Sequence, residues 1–162
     1  MSTKSLQTCP ECGGSVVVKK YRHVESVGGI KVSDETALMP QCVECGNVDL
    51  TLEQLAGYER RAAALVLQNV LHARGSTVRY ARKALGLTQS ELAKLLDCRS
   101  EEVSRWETEK VPIQRSEQLA IVALLDLVEC TGIDTRTLLE QMDEMKKGAL
   151  PDELEVPNGK AA

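Results

Sequence analysis

The sequence predicts an α+β fold, with a small β-hairpin domain at the N-terminus followed by an all-α bundle. Two observations predict this division. The first 50 residues contain strand formers, glycine turns and two closely spaced cysteine pairs, but few helix signals. From residue 51 onward, apolar residues recur at helical spacing between residues that cap or stop helices.

The composition limits the class of protein. The chain has 162 residues, 43% of them hydrophobic, and no Phe, so we expect an aliphatic core. No apolar run approaches the ~18 residues of a membrane span. The first residues lack the apolar stretch of a signal peptide. We therefore expect a cytoplasmic protein with reduced thiols and no membrane partner.

Four cysteines form two short pairs, Cys9-Pro-Glu-Cys12 and Cys42-Val-Glu-Cys45, and a glycine follows each pair directly. A C-x-x-C turn directs two thiolates at one point, so two such turns supply the ligands of a closed tetrahedral zinc site. A redox C-x-x-C needs only one pair. The sequence therefore predicts one structural Zn²⁺ per chain, with no open position for catalysis.

The rest of residues 1–50 fits a zinc-bound hairpin domain. Val16 and Val18, and then Tyr21 to Val27, are strand-forming, Gly28-Gly29 indicates a turn, and Ile30 to Val32 can return as a strand. About fifty residues cannot easily build a self-sufficient core. We therefore expect the metal to supply much of the folding free energy of this domain.

Residues 51–75 are predicted to form a connecting helix, because Thr51-Leu52-Glu53-Gln54 matches a capping box and Arg74-Gly75 is a plausible stop. Residues 76–148 are predicted to form one helical domain. Its helices are expected at about Thr77–Leu85, Thr88–Asp97, Ser100–Thr108, Gln114–Cys130 and Asp134–Lys147. Residues 149–162 contain prolines and acidic residues and are predicted to be a disordered tail.

The stretch from Arg82 to Ala93, RKALGLTQSELA, resembles the first half of a Cro/C1 (Xre) type helix-turn-helix, and Val103-Ser104-Arg105-Trp106-Glu107 resembles its recognition helix. In this arrangement Leu92 and Ala93 pack against Trp106, which we therefore interpret as a core residue. The third helix then projects toward a DNA major groove about 12 Å wide. The fold expected for the second domain is a helix-turn-helix bundle.

The charge distribution agrees with a DNA-binding middle segment. The whole chain carries a formal charge of −4, but residues 60–115 contain 11 basic and 6 acidic residues, a net charge of +5. The local charge sets the field that a polyanion meets. An acidic average therefore does not exclude DNA as a partner.

The resemblance assigns candidate DNA contacts. By motif position, Ser100, Glu101 and Arg105 read bases, and Arg105 is the strongest candidate because Arg binds guanine O6 and N7 bidentately. Glu101 either accepts from cytosine N4 or caps the helix. Gln89 is the family's phosphate contact. Four further residues either contact phosphates or form a solvated basic face: Arg79, Arg82, Lys83 and Arg99.

A cysteine-paired zinc unit, a connecting helix and an Xre-type helix-turn-helix, in this order, resemble the MqsA-type antitoxins (YgiT-type zinc finger proteins). The resemblance implies a homodimer, joined through the C-terminal domain, that binds a palindromic operator and represses its own operon. It also implies that the zinc unit binds a toxin, typically an mRNA-cleaving ribonuclease. Leu124 and Leu127 are the candidate dimer contacts. The fifth helix, the tail and Glu101 in place of Asn depart from the family pattern.

Three classes of function remain in competition. The first is a DNA-binding repressor, with antitoxin duty or as a stand-alone zinc-containing regulator. The second is a protein-interaction module that uses the helix-turn-helix as a scaffold. The third is a thiol-redox or metal-dependent enzyme, but the sequence shows no nucleophile–base pair, Gly-rich phosphate loop or carboxylate dyad. We therefore expect no enzymatic activity.

Overall fold

The computed structural model describes residues 8–35, 37–48, 52–132 and 135–145. Within these residues four strands precede six helices, which confirms the predicted α+β class. The strands are β1 (Val16–Lys20), β2 (His23–Val27), β3 (Ile30–Asp34) and β4 (Leu38–Cys42). The helices are α1 (Leu52–Asn69), α2 (Gly75–Ala84), α3 (Gln89–Leu95), α4 (Ser100–Glu107), α5 (Arg115–Thr131) and α6 (Thr135–Met145).

The strands form two nested antiparallel pairs. β2 and β3 pair across the predicted Gly28-Gly29 turn, whose φ angles of 59° and 86° suit a two-residue hairpin loop. β1 pairs with β4, and Val16 lies opposite Cys42. The outer pair therefore brings the second cysteine pair beside the first. β4 is not anticipated by the sequence analysis.

An aliphatic core fills the helical part of the chain. Leu67, Val78, Leu92, Val103 and Ile121 are fully buried there, each at 0% exposure. Trp106 lies in the same cluster, as predicted. α1 packs along α5 and α2, and α3 packs on α4.

Helix α1 ends at Asn69, before the predicted stop at Arg74-Gly75. Tertiary contacts explain the earlier end. The buried Gln118 amide on α5 donates to the carbonyls of Leu67 at 2.7 Å and Val70 at 2.8 Å, and its oxygen accepts from Ala73 N at 3.1 Å. These bonds satisfy backbone groups at the end of α1 that would otherwise be satisfied by a longer helix. Thr51, the predicted cap of α1, lies outside the described residues.

The later helices begin and end close to the predicted positions. Thr88 caps α3, as predicted, since its hydroxyl accepts from Glu91 N at 3.2 Å and Thr88 N donates to the Glu91 carboxylate at 2.8 Å. Gly132, with φ of 67°, ends α5. Leu139 of α6 joins the core. The predicted cap Asp134 and the tail 149–162 lie outside the described residues.

The β2–β3 hairpin lies against the helices. Val27 is fully buried in a small apolar cluster with Ala62 and Val66 of α1. Val32, Val70 and Tyr80 pack around this cluster. The hairpin is therefore in contact with both α1 and α2. None of the helices described is both long and apolar enough to cross a lipid bilayer.

The contacts of Gln118 generate a stability prediction. Gln118→Met keeps the side-chain size but leaves Ala73 N–H without its partner, and it leaves the carbonyls of Leu67 and Val70 with Arg115 as their remaining side-chain donor. We expect a loss of about 1–3 kcal/mol in the free energy of unfolding, because unsatisfied buried polar groups carry their desolvation penalty. Denaturant titration followed by tryptophan fluorescence measures it. Gln114→Met is the control, because Gln114 is exposed and makes no side-chain cap bond; equal stability of the two variants would contradict the prediction.

Candidate metal centre and DNA interface

The four predicted metal ligands meet at one point. The Sγ atoms of Cys9, Cys12, Cys42 and Cys45 all lie within 4.8 Å of one another. Cys9 Sγ lies 3.7 Å from Cys45 Sγ, and Cys12 Sγ lies 3.5 Å from Cys42 Sγ. Sulfurs at metal–sulfur distances near 2.3 Å in a tetrahedron are about 3.8 Å apart. The cluster can therefore bind one metal ion.

The two cysteine turns are built alike. Gly13 N donates to Cys9 O at 2.9 Å, and Gly46 N donates to Cys42 O at 3.1 Å. Both glycines are left-handed, with φ of 75° and 73°. This conformation turns the chain back after the second cysteine of each pair, and it favours glycine because a Cβ is strained there. The glycines that follow the C-x-x-C pairs thus have a defined structural role.

The pKa values of Cys12 and Cys42 are shifted in opposite directions within the cluster. A backbone hydrogen bond at Gly14 lowers the pKa of Cys12, but the thiols of Cys45 and Cys42 outweigh it and raise that pKa to about 12. Backbone hydrogen bonds at Cys45 and Glu44 lower the pKa of Cys42 to about 7. Metal ligation requires thiolates, and a bound cation stabilises all of them together. The donor set therefore fits a soft divalent metal.

Helix α4 projects one face to solvent and buries the other. Val103 and Trp106 face the core, together with Leu92 and Ala93 of α3. Glu101 and Arg105 are exposed, and Ser100 is half-buried at the start of the helix. The three predicted base-reading residues therefore lie on one short helix, and their role in DNA contact stays a prediction.

The comparisons with known proteins agree with this architecture. Residues 7–134 match the family model described as the antitoxin component of a bacterial toxin-antitoxin system, MqsA. The chain belongs to this MqsA antitoxin family. The match includes both cysteine pairs and helices α1 to α5, and it ends before α6. No curated protein matches the chain.

In this member of the MqsA antitoxin family, a buried carboxylate joins helices α2, α3 and α4. The Glu107 side chain is 0% exposed, and its oxygens accept from Arg82 Nε at 2.5 Å and Arg82 Nη2 at 3.1 Å. Gln89 Nε2 donates to it at 2.9 Å and Arg79 Nε at 3.3 Å. Three of the predicted phosphate contacts thus share one internal partner, which joins α2, α3 and α4. Lys83 and Arg99 are exposed.

Sequence reasoning missed the role of Glu107, although a signal was present. Glu107 follows Val103 by four residues, so both lie on the same, buried face of α4. Arg79 and Arg82 are three residues apart on one face of α2. An acid on a buried helix face requires a cation, and these arginines were the available partners.

The pKa of Glu107 reflects two opposing effects. Burial raises the pKa, but hydrogen bonds from Arg82 and Gln89, with the charge of Arg82, outweigh it and hold the pKa below its ordinary value. The carboxylate is therefore ionised in the folded protein.

Glu102, rather than Glu101, caps α4, since its carboxylate accepts from Arg99 N at 2.9 Å.

Glu107 generates a prediction of pH dependence. Because its pKa is lower in the folded state than in the unfolded state, its contribution to stability is present above the ordinary carboxyl pKa and is lost as the pH falls through the lower, folded value. Glu107→Gln leaves the Arg82 guanidinium without its counter-charge, which typically costs about 3–5 kcal/mol. We expect lower stability at pH 7 and a shallower decline of the free energy of unfolding with acid.

Urea titrations between neutral and acidic pH measure both effects. Glu140→Gln is the control, because Glu140 is an exposed carboxylate on α6. If the two variants lose stability with acid along the same slope, Glu107 is not the ionised group described above.

Proposed function

We propose that this protein is a DNA-binding repressor and the antitoxin of a type II toxin-antitoxin system. A homodimer binds a palindromic operator in its own operon, and the N-terminal zinc domain neutralises a ribonuclease toxin. The observation that carries the proposal is the exposed face of α4, on which Ser100, Glu101 and Arg105 lie while Val103 and Trp106 bury the opposite face. The family match supports the antitoxin assignment.

Zinc is the proposed metal. Four thiolates are soft ligands that select Zn²⁺ over the hard cations, and the sulfur separations of 3.5 and 3.7 Å suit its tetrahedral geometry. The ion is structural, because an all-sulfur ligand set leaves no position for substrate or water. This arrangement also agrees with a protein that is not an enzyme.

Removal of a ligand tests the structural role of the metal. We expect Cys42→Ser to unfold the β1–β4 part of the chain and leave the helices folded, because the helices have their own apolar core. Metal content and the amide NMR spectrum of the purified full chain measure this. The control is Cys130→Ser, an exposed cysteine on α5 outside the cluster. Dispersed β-strand signals in a metal-free Cys42→Ser sample would overturn the assignment.

The proposed DNA contacts separate into base reading and phosphate binding. Arg105 pairs with a guanine, and Ser100 and Glu101 face neighbouring bases. Lys83 and Arg99, both exposed, contact phosphates. The Arg79 side chain is half exposed and can meet a phosphate while it donates to Glu107. Gln89 has two amide hydrogens, so it can serve both partners. Arg82, with 12% of its side chain exposed, acts mainly by positioning α4.

An apolar stripe on α5 supports the proposed dimer. Leu119 and Leu127 are 47% and 38% exposed, and Ala123 lies between them at the same helical spacing. Leu124, the other candidate from the sequence, packs partly into the core and offers less surface. We therefore propose that the stripe of Leu119, Ala123 and Leu127 meets its copy in a second chain. Two recognition helices would then read half-sites about one helical turn apart.

Comparing Arg105→Ala with Lys83→Ala tests whether α4 reads bases while Lys83 binds phosphate. If Arg105 reads a guanine, its loss costs about 1–3 kcal/mol on the cognate duplex and removes the preference at one base position per half-site. If Lys83 meets only phosphate, its loss weakens binding to all sequences and lowers the salt slope by about 0.9 per contact. Titrations at two salt concentrations, on cognate and scrambled duplexes, measure both.

The same titrations separate the alternative functions. An Arg105→Ala variant that loses equal affinity for both duplexes would show that α4 is not the reading helix. Binding without salt dependence would favour a protein-interaction module. Sequence-specific binding without any toxin encoded beside this gene would favour a stand-alone regulator.

A further inference from the structure

The hairpin turn of the metal domain sits directly on the first turn of α2. A Cβ atom built at Gly28 would lie 2.0 Å from Thr77 Oγ1 and 3.2 Å from Thr77 N. The backbone of the turn is therefore in contact with α2, and no side chain fits between them. Thr77 is buried, and the neighbouring Val27 is fully buried against α1. The contact is close-packed rather than a loose surface approach.

The same turn of α2 supports the end of the recognition helix. A Cβ atom at Gly75 would lie 2.5 Å from Trp106 O and 2.6 Å from Glu107 O. Gly75 N also donates to Glu109 Oε1 at 3.0 Å. Residues 75–77 thus contact the hairpin turn on one side and the C-terminal end of α4 on the other.

We infer that the Gly28-Gly29 turn is a positioning element for the recognition helix. The hairpin loop holds residues 75–77 at the start of α2, and these residues hold the C-terminal end of α4. This contact sets the orientation of Arg105. The inference rests on the proposed DNA-binding function. It assigns the N-terminal domain a second role, in DNA reading, besides the proposed binding of a toxin. Coupling of this kind typically changes affinity by about 2- to 30-fold.

Gly28→Ala and Gly29→Ala form a matched pair for the test. Both positions are left-handed, with φ of 59° and 86°, so both substitutions carry a similar backbone strain. Only Gly28 faces Thr77; at Gly29 the new Cβ meets just the flexible Arg74 Nη1, at 3.6 Å. In the full-length, metal-loaded protein, we expect Gly28→Ala to weaken cognate DNA binding by about 3- to 30-fold, with a smaller loss on a scrambled duplex. Gly29→Ala should bind like the wild type.

Trp106 provides a readout that needs no DNA. It is the single tryptophan of the chain, it is 7% exposed, and its carbonyl abuts Gly75. A displaced α4 exposes the indole to water, so its emission should shift to the red in Gly28→Ala and not in Gly29→Ala. This signal separates the two proposals. If the wild-type protein binds no duplex, the proposed function is wrong. The emission of Gly28→Ala compared with that of Gly29→Ala would still show whether the hairpin turn positions α4.

Rescue distinguishes positioning from general destabilisation. Thr77→Ala removes Oγ1, the atom closest to the new methyl group, and keeps Cβ and N at 3.1 and 3.2 Å. We expect the double variant Gly28→Ala/Thr77→Ala to recover most of the DNA affinity and emission of Thr77→Ala alone, so that the two sites are strongly coupled in a double-mutant cycle. If Gly28→Ala does not fold, Val27→Ala is compared with Val24→Ala, which lies exposed on the same strand.

Two results would overturn the inference. One is that Gly28→Ala and Gly29→Ala change DNA affinity and Trp106 emission equally. The other is that Val27→Ala loosens the hairpin, as judged by its amide NMR signals, while cognate affinity and emission remain those of Val24→Ala. Either result would mean that the helical core alone positions α4.

Discussion

The packing of helices α2, α3 and α4 depends on one buried ion pair. Glu107 is the last residue of α4, its side chain has no solvent exposure, and Arg82 binds it through two nitrogens. A carboxylate in this position is costly unless it is paired and hydrogen-bonded. Arg82 and Arg79 of α2 and Gln89 of α3 meet that requirement. Helix α4 can therefore pack only in a position where all three side chains reach the Glu107 carboxylate. The apolar core supplies stability, and the ion pair restricts how the three helices pack.

The N-terminal domain depends on a different constraint, because its own core is very small. Five apolar side chains are buried among its described residues: Cys9, Val27, Ala37, Met39 and Cys42. Two of these belong to the cluster of four cysteines, and Val27 packs on α1 rather than within the domain. Ala37 and Met39 alone cannot offset the conformational entropy of about forty ordered residues. A metal ion at the four cysteines, as proposed, and the contact of Val27 with α1 would supply the missing stability.

Local sequence signals predicted most of the elements and the clustering of the four cysteines. The cysteine spacing, the Gly28-Gly29 turn and the Thr88 cap are each determined by a few neighbouring residues, and the structure has them as expected. The missed features depend on residues far apart in the chain. β4 contains Pro40, which is tolerated because β4 is an edge strand, and its partner β1 lies about 20 residues away. The end of α1 is set by Gln118, and the role of Glu107 by Arg82.

Ion pairs within the chain reduce the number of basic side chains that are available for the proposed DNA contacts. Of the basic residues in the segment 60–115, Arg60 and Arg61 pair with Glu129, Arg79 and Arg82 with Glu107, and Lys94 with Asp143. Arg115 binds carbonyls at the end of α1. The basic residues outside these contacts are Arg74, Lys83, Arg99, Arg105 and Lys110.

Each phosphate that a cation neutralises contributes about −0.9 to the slope of log K against log salt concentration. Five basic residues per chain would therefore give the proposed DNA contact only a modest affinity that does not depend on sequence. The acids at the start of α4 reduce it further, because Glu101 and Glu102 are exposed and repel phosphates. The proposed DNA-binding surface would therefore attract random DNA weakly. Its selectivity would come from the orientation of a few side chains on α4, and the fixed packing of α4 on α2 and α3 is the structural condition for that orientation.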